Sequence, residues 1–172
     1  YVARLSSVKG HNCLLKAFQQ IEDKKIVLNL VGGGEMESEL KTFCDEKSLK
    51  NVIFHGNITN IPQFLTEMDL AVFPSVKEGL PISLLEKMSS GLPVIASDIP
   101  ELTDFVKDRV NGLVFTRNNP TELANLLIEL SNNQSLRESL GKEARNTLKY
   151  RFGEKNIAAI TMDHFNKVLN EK

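Results

Sequence analysis

The chain has 172 residues, enough for one domain with a substantial core, and its 41% hydrophobic and 25% charged content is ordinary for a globular protein. Its 21 basic and 22 acidic side chains give a formal net charge of -1, so the chain lacks the overall positive field that nucleic-acid binding needs. Two cysteines exclude a disulfide framework, and we find no secretion signal or membrane-spanning apolar run. These features predict a reducing, cytoplasmic compartment.

Short hydrophobic runs alternate with longer segments of helical periodicity. A helix is predicted over residues 11–21, where apolar side chains recur at helical spacing, and another over residues 35–47. Further helix starts are marked by Asn caps or an early proline, at Asn60, Pro100 and Asn119. Strands are predicted at residues 1–3, 26–31, 52–55, 70–73, 94–96 and 113–115. This alternation favours an α/β fold with a doubly wound, Rossmann-like parallel sheet of six strands and helices on both faces.

The sequence after Asn133 changes character, because no further strand follows. Ser135 and Glu138 form a capping box that predicts a helix to about Tyr150, and a second helix is predicted over residues 154–169. We expect these C-terminal helices to complete a single domain, with the last one packed either on this domain or on a neighbouring one.

The most informative stretch joins a buried strand to a loop and a helix. Residues 70–73 have the continuous apolar character of a strand covered on both faces, and prolines and a glycine follow. A helix that begins near Pro81 and ends at Gly91 comes next. Its N terminus points to the carboxyl edge of the sheet, where unpaired N–H groups and the helix dipole favour an anion. Residues 79–83 are therefore expected to donate to a phosphate.

Two carboxylates flank this anion site. Glu78 lies on the loop, and Glu86 lies about one turn into the helix. A carboxylate accepts hydrogen bonds without donating, so each side chain suits the hydroxyl groups of a neutral polyol. A nucleotide sugar offers hydroxyls at both ends with phosphate between them.

These glutamates are the ends of an E-x7-E segment, and residues 74–94 read P-S-V-K-E-G-L-P-I-S-L-L-E-K-M-S-S-G-L-P-V. The segment resembles the E-x7-E region of the group 1 family of retaining glycosyltransferases, which have the GT-B fold. Other pieces follow the family's order, namely A-R-L with K-G near the start, L-V-G-G-G at 30–34, V-I-F-H-G at 52–56 and N-G-L-V at 111–114. The resemblance covers about residues 1–130, and its specificity comes from the order of the pieces.

The resemblance implies roles for residues around a diphosphate. Arg4 and Lys9 would neutralise its charge, and each shielded contact of this kind is worth about 1.5–3 kcal/mol. Gly33 would let the backbone approach the phosphates closely. The loop and first helical turn would add further donor contacts, from Gly79, Leu80, Pro81 and Ile82.

The resemblance also implies contacts with the rest of the donor. Glu86 would accept hydrogen bonds from the ribose hydroxyls, and Glu78 would contact the transferred sugar. Ile58, after the third predicted strand, would meet the base. Arg4, Lys9 and Glu78 are thus the expected catalytic residues.

Plainer interpretations exist for the same side chains. Arg4 and Lys9 can be solvated surface cations, and Glu78 can be an ordinary loop residue. Glu86 can be a surface glutamate, because its neighbour Lys87 suggests that this side of the helix is exposed.

Neither a metal nor a cofactor is expected. The three histidines lack metal-ligand spacing and no D-x-D pair is present, in agreement with the resemblance, since GT-B enzymes hold the diphosphate without a metal. The glycines at 32–34 do not form a dinucleotide fingerprint, because Glu37 stands where G-x-G-x-x-G requires glycine; their plainer role is a tight turn. The expected ligand is a UDP-sugar or GDP-sugar.

The resemblance implies that a glycosyl group moves from the nucleoside diphosphate to an acceptor hydroxyl with retention. A front-face route, in which the departing phosphate oxygen takes the acceptor proton, is the one favoured for such enzymes. The acceptor would bind an N-terminal domain absent from this chain, which opens on Tyr1 rather than Met. Any membrane contact, peripheral and at the inner face, would be made through that domain, and no nucleic acid is expected as a partner.

Two alternatives stay open. A non-catalytic nucleotide-binding module or flavodoxin-like regulatory domain would use the same helix terminus without needing Glu78. A GT-B epimerase that acts on a UDP-sugar fits the E-x7-E segment and Lys9 less well. Binding of UDP, GDP, ADP and FMN distinguishes these classes.

Overall fold

The computed structural model describes residues 1–23 and 25–153, so the helix predicted over 154–169 lies outside the described residues. The strands are β1 (Leu28–Val31), β2 (Val52–Gly56), β3 (Ala71–Phe73), β4 (Val94–Ser97) and β5 (Leu113–Phe115). The helices are α1 (His11–Gln20), α2 (Glu37–Glu46), α3 (Ile61–Leu65), α4 (Ile82–Ser90), α5 (Pro100–Thr103), α6 (Pro120–Asn132) and α7 (Gln134–Phe152). None of the helices in these two ranges combines the length and apolar character needed to cross a bilayer.

The ladders between the five strands are all parallel, which confirms the α/β class. The predicted count of six strands was wrong for the described residues, which form a two-stranded sheet, β1-β2, and a three-stranded sheet, β3-β4-β5. The segment at residues 1–3 pairs with β1 through a bridge between Val2 and Val31 but forms no ladder with β3. A cavity of about 590 Å³, lined by residues of β1 and β3, lies beside it. The first segment therefore has a strand partner on one side only.

Helices cover both faces of the three-stranded sheet. One core contains Val72, Ile95 and Leu113 together with side chains of α1 and α6. The other contains Phe73 and Ala96 together with side chains of α4, α5 and α7. Since successive residues of a strand point to opposite faces, these neighbours belong to different cores, as the doubly wound prediction requires.

Two predicted helix caps are confirmed and one was wrong. The side chains of Asn60 and Asn119 each accept a hydrogen bond from the backbone N–H three residues further on, at 3.2 and 3.1 Å. The helix predicted to start with a capping box at Ser135 instead begins at Gln134. Asn133 caps it and accepts from the N–H of Leu136 at 2.9 Å. Asparagine is at least as good a cap as serine, and it comes earlier in the chain.

His11 is a buried titratable residue at the start of α1. It is 2% exposed, and its ring centroid lies 5.1 Å from that of Tyr1. Neither ring nitrogen makes a geometrically acceptable hydrogen bond within the described part of the chain. Burial lowers the pKa of His11 to about 4, and the nearby backbone of Ser6 opposes part of that shift. The fold therefore accommodates the neutral ring.

We predict that His11 makes the chain sensitive to mild acid. Unfolded His11 takes up a proton near its ordinary pKa of 6.5, whereas the folded residue resists protonation until about 4. The unfolded state thus binds more protons in this window, and the free energy of unfolding should fall by up to about 3 kcal/mol as pH falls through it. Above pH 6.5 this contribution to stability is complete.

Urea denaturation at several pH values, with His11→Phe as the comparison, measures this effect. The variant keeps a ring of similar size and should lose this part of the pH dependence. An identical slope in both proteins would assign the acid sensitivity to other groups.

Candidate functional site

The carboxyl ends of the parallel strands meet at one edge of the molecule, where a cavity of about 570 Å³ lies. We call it the strand-end cavity. Five predicted site residues line it, together with Asn57 and Ser83; the five are Arg4, Gly33, Ile58, Ile82 and Glu86. The fold therefore brings together residues from the first segment, from the loops after β1 and β2, and from α4.

The loop after β1 places two glycines, Gly32 and Gly33, at the cavity. A Cβ on Gly34 would overlap the backbone of Leu5, so the packing leaves no room for a side chain at this position. A Cβ on Gly33 would meet nothing nearer than the Asn57 side chain at 3.8 Å, which is an ordinary contact. Gly33 is therefore not required by the packing of the fold, and its backbone is accessible from the cavity.

Arg4 is the cation of the strand-end cavity. One of its guanidinium nitrogens lies 3.4 Å from a carboxylate oxygen of Glu35, and the two side chains are 75% and 57% exposed. A pair this exposed contributes little to stability. The guanidinium can therefore exchange this partner for an anion at small cost.

Lys9 and Glu78 do not line the cavity but form an ion pair beside it. The Lys9 ammonium lies 2.8 and 2.7 Å from the two carboxylate oxygens, and the side chains are only 26% and 9% exposed. The Ser75 hydroxyl, just after β3, donates to Glu78 at 2.6 Å. Two residues expected to contact the phosphates and the sugar separately are thus in contact with each other.

Tyr1 ties this pair to the first segment. Its hydroxyl donates to the backbone carbonyl of Lys9 at 2.8 Å and lies 3.4 Å from the Ser75 hydroxyl oxygen. Burial raises the pKa of the Tyr1 hydroxyl, so it stays a donor at neutral pH. The network holds the start of the loop after β3 against residues 1–9.

The N terminus of α4 supplies fewer donors than predicted. Pro81 precedes the helix and has no N–H, and the N–H of Ile82 already donates to the Leu80 carbonyl at 2.9 Å because the chain turns there. Within residues 79–83, the N–H groups that donate to no acceptor in the described ranges are those of Gly79, Leu80 and Ser83. A nine-residue helix with free N–H groups is still a suitable anion site.

Two large apolar side chains lie exposed at the N terminus of α4. Leu80 is 69% exposed and Ile82 is 59% exposed. Exposed apolar side chains of this size are common where a ligand or another protein surface covers them.

Glu86 opens onto the cavity, but its neighbour does not match the prediction. The Glu86 side chain is 55% exposed, whereas Lys87 is 1% exposed and turns inward, where it lines the 590 Å³ cavity with Tyr1 and Phe73. The Lys87 ammonium donates to a Glu86 oxygen at 3.2 Å. Burial lowers the pKa of Lys87, and Glu86 opposes that shift. The expectation that Lys87 marks an exposed face was therefore wrong.

Sequence reasoning did not single out the side chain of Asn57, and it included Ser83 only among the backbone donors of residues 79–83. Asn57 directly follows β2, and a polar residue at the carboxyl end of a parallel strand is a signal that could have found it. The Ser83 hydroxyl donates to the Val2 carbonyl at 3.1 Å. That contact joins α4 to the first segment and depends on tertiary structure.

Comparisons with known proteins agree with this architecture. A sequence profile of the family described as "Glycosyl transferases group 1" matches residues 1–147. The poly(ribitol-phosphate) alpha-N-acetylglucosaminyltransferase of Staphylococcus aureus is 26% identical over 170 residues, which cover 96% of this chain and 34% of that enzyme.

Two solved structures are also similar. A mutant of S. aureus TarM in complex with fondaparinux, alpha-GlcNAc-glycerol and UDP is 26% identical, with a TM-score of 0.88 over 96% of this chain and 34% of that one. Anabaena HepE in complex with UDP-glucose is 26% identical, with a TM-score of 0.84 over 98% of this chain and 47% of that one.

The chain spans less than half the length of the curated relatives that it matches. The profile nevertheless covers most of the chain, and the structures share its arrangement of parallel strands and helices. The chain belongs to the glycosyl transferases group 1 family and has the Rossmann-like architecture of GT-B glycosyltransferases.

Proposed function

We propose that this chain is the donor-binding domain of a retaining glycosyltransferase and that it binds a UDP-sugar or GDP-sugar without a metal. The observation that carries the proposal is the strand-end cavity, where Arg4, the Gly33 backbone and Glu86 surround one space. UDP is the more favoured nucleotide, because the similar TarM and HepE complexes contain UDP and UDP-glucose.

The diphosphate would lie at the N terminus of α4. Arg4 supplies an exposed guanidinium, and the free N–H groups of Leu80 and Ser83 supply neutral donors. A helix N terminus together with a charged donor is a common way to hold phosphate oxygens. The Gly33 backbone would approach the same oxygens from the opposite loop.

The nucleoside would occupy the other end of the cavity. Glu86 would accept hydrogen bonds from the ribose hydroxyls, because an ionised carboxylate has acceptors for two of them. Asn57 and Ile58 follow β2, and they would meet the base through a polar and an apolar contact.

The transferred sugar would lie beside the Lys9–Glu78 pair. As its bond to the diphosphate breaks, positive charge develops on the sugar ring and negative charge on the leaving phosphate. Glu78 would face the sugar, while Lys9, Arg4 and the helix N–H groups would stabilise the phosphate, which is electrostatic catalysis. Retention would follow a front-face route in which the departing phosphate oxygen takes the acceptor proton.

The acceptor would bind an N-terminal domain of the same enzyme, across the cavity from this one. Positioning of the acceptor and exclusion of water supply much of the rate enhancement in transfer reactions. The chain alone should therefore bind the donor without transferring its sugar. A cytoplasmic location, with any membrane contact made by the other domain, fits this division of roles.

Calorimetry with UDP, GDP, ADP and FMN tests the binding proposal. UDP or GDP should bind most tightly, and its affinity should be unchanged by EDTA, because protein cations and N–H groups oppose the diphosphate. Preference for FMN would favour the flavodoxin-like alternative. A collapse of affinity on chelation would refute metal-independent binding.

Replacing Lys9 by Met should weaken UDP binding by about 1.5–3 kcal/mol while uridine binding is nearly unchanged, since the phosphates are the part of the nucleotide that this side chain would contact. Titration of each variant with the two ligands measures the difference. Lys41→Met is a matched control, because Lys41 is an exposed lysine that pairs with Glu37 on α2. Equal losses for uridine and UDP would show that Lys9 supports the loop rather than the phosphates.

Substitutions at two neighbouring glycines distinguish the effect of an added side chain on packing from its effect on ligand binding. Gly33→Ala should leave the free energy of unfolding nearly unchanged but reduce UDP affinity, because its Cβ contacts only side chains and the residue lines the strand-end cavity. Gly34→Ala should lower the free energy of unfolding, because its Cβ overlaps the Leu5 backbone. Urea denaturation and UDP titration of both variants measure these effects, and unchanged UDP binding by Gly33→Ala would remove Gly33 from the proposed site.

A further inference from the structure

Lys87 is a lysine in the interior of the protein. Its side chain is 1% exposed, and it lies about one helical turn after Leu84 on the buried side of α4. Its ammonium donates to the Ser83 hydroxyl oxygen at 2.9 Å and to Oε2 of Glu86 at 3.2 Å. The Ser83 hydroxyl in turn donates to the Val2 carbonyl at 3.1 Å. The lysine is therefore the inner end of a polar chain that reaches the strand-end cavity.

The contact between Lys87 and Glu86 is not one that helix geometry favours. Adjacent residues of a helix point in different directions, so both side chains must bend to meet. A buried ammonium is costly unless it has a charged partner, and that cost favours the bent arrangement. Glu86 is the carboxylate that lies within ion-pair distance of Lys87 among the described residues.

The contact leaves one side of the Glu86 carboxylate open. Oε2 accepts from Lys87, whereas Oε1 accepts from no donor in residues 1–23 and 25–153. The Glu86 side chain is 55% exposed and lines the strand-end cavity. A carboxylate held through one oxygen has less freedom to rotate, and its other oxygen is available to a ligand.

We propose that Lys87 is a positioning residue for nucleotide binding: its buried ammonium holds Oε2 of Glu86 so that the carboxylate presents an acceptor to the ribose hydroxyls. This inference rests on the proposed function, because the ribose contact is part of it. Lys87 itself lies behind Glu86 and does not touch the nucleotide.

The proposal has a distinctive consequence for stability. Lys87→Met keeps most of the side-chain volume and removes a buried charge, a change that is often neutral or stabilising. Glu86→Gln leaves the ammonium buried without a charged partner, which is destabilising. A positioning role therefore predicts that Lys87→Met loses affinity without losing stability, whereas a purely structural role predicts that both fall.

The experiment uses the tighter of UDP and GDP, together with its 2′,3′-dideoxy analogue. Calorimetry gives the affinities of the unsubstituted chain, Lys87→Met, Glu86→Gln and the double variant, and urea denaturation gives their free energies of unfolding. Lys41→Met is the matched control for removal of a lysine charge. Lys87→Gln is a second variant, which retains a donor for Ser83 but no charge.

The unsubstituted chain should prefer the ribose nucleotide by about tenfold, the effect of one hydrogen bond to a charged group. Lys87→Met should lose most of this preference with little change in affinity for the dideoxy analogue. The double variant should show no further loss of preference, and Lys41→Met should resemble the unsubstituted chain. The free energy of unfolding of Lys87→Met should not fall.

Other outcomes separate this inference from the proposed function. If neither UDP nor GDP binds the unsubstituted chain, the proposed function fails and the positioning role fails with it. If Glu86→Gln abolishes the ribose preference but Lys87→Met retains it, the ribose contact stands and the positioning role is overturned. The positioning role is also overturned if Lys87→Met loses affinity equally for the ribose nucleotide and its dideoxy analogue and is less stable. If Lys87→Met does not fold, the same result for Lys87→Gln overturns it.

Discussion

The site depends on how closely the backbone of residues 1–10 passes the end of β3. A Cβ on Gly10 would overlap the carbonyl of Pro74, and Gly10 has a φ of +71°, where other residues are strained. The first segment also pairs with β1, so it is held against both sheets. This close backbone contact holds Arg4 and Lys9 at the carboxyl edge of the sheets.

The two Lys–Glu pairs near α4 prepare the site in different ways. Glu78 is 9% exposed and keeps its hydrogen bond from Ser75 if Lys9 moves towards a phosphate. Glu86 is 55% exposed, and its cation is the buried one. One pair thus has a partly exposed cation and an enclosed carboxylate, and the other has the reverse. The Glu86 carboxylate, held by Lys87 before a ligand arrives, needs little reorganisation when one binds.

Sequence reasoning succeeded where local physics decides. The bounds of β5 were predicted correctly because Leu113 and its neighbours form a short continuous apolar run, and the Asn119 cap acts within one turn of its helix. It failed where distant contacts decide. No pattern around Lys87 indicates burial, and the pairing of Lys9 with Glu78 joins residues far apart in the chain. The order of the family motifs predicted which loops would converge, but not the contacts among their side chains.

The break between the two sheets has a mechanical consequence. No backbone ladder crosses from the first segment to β3, so the halves of the described domain are joined through side chains, through the packing of α1 on α6 and through isolated backbone contacts such as the hydrogen bond from the Val76 N–H to the Val8 carbonyl. Regions linked without a ladder can open separately on the timescales that amide exchange detects. The strand-end cavity spans this break, with Gly33 and Asn57 on one side and Ser83 and Glu86 on the other. A ligand bound there would contact both sides of the break, and the rigidity of the domain would depend on whether the cavity is occupied.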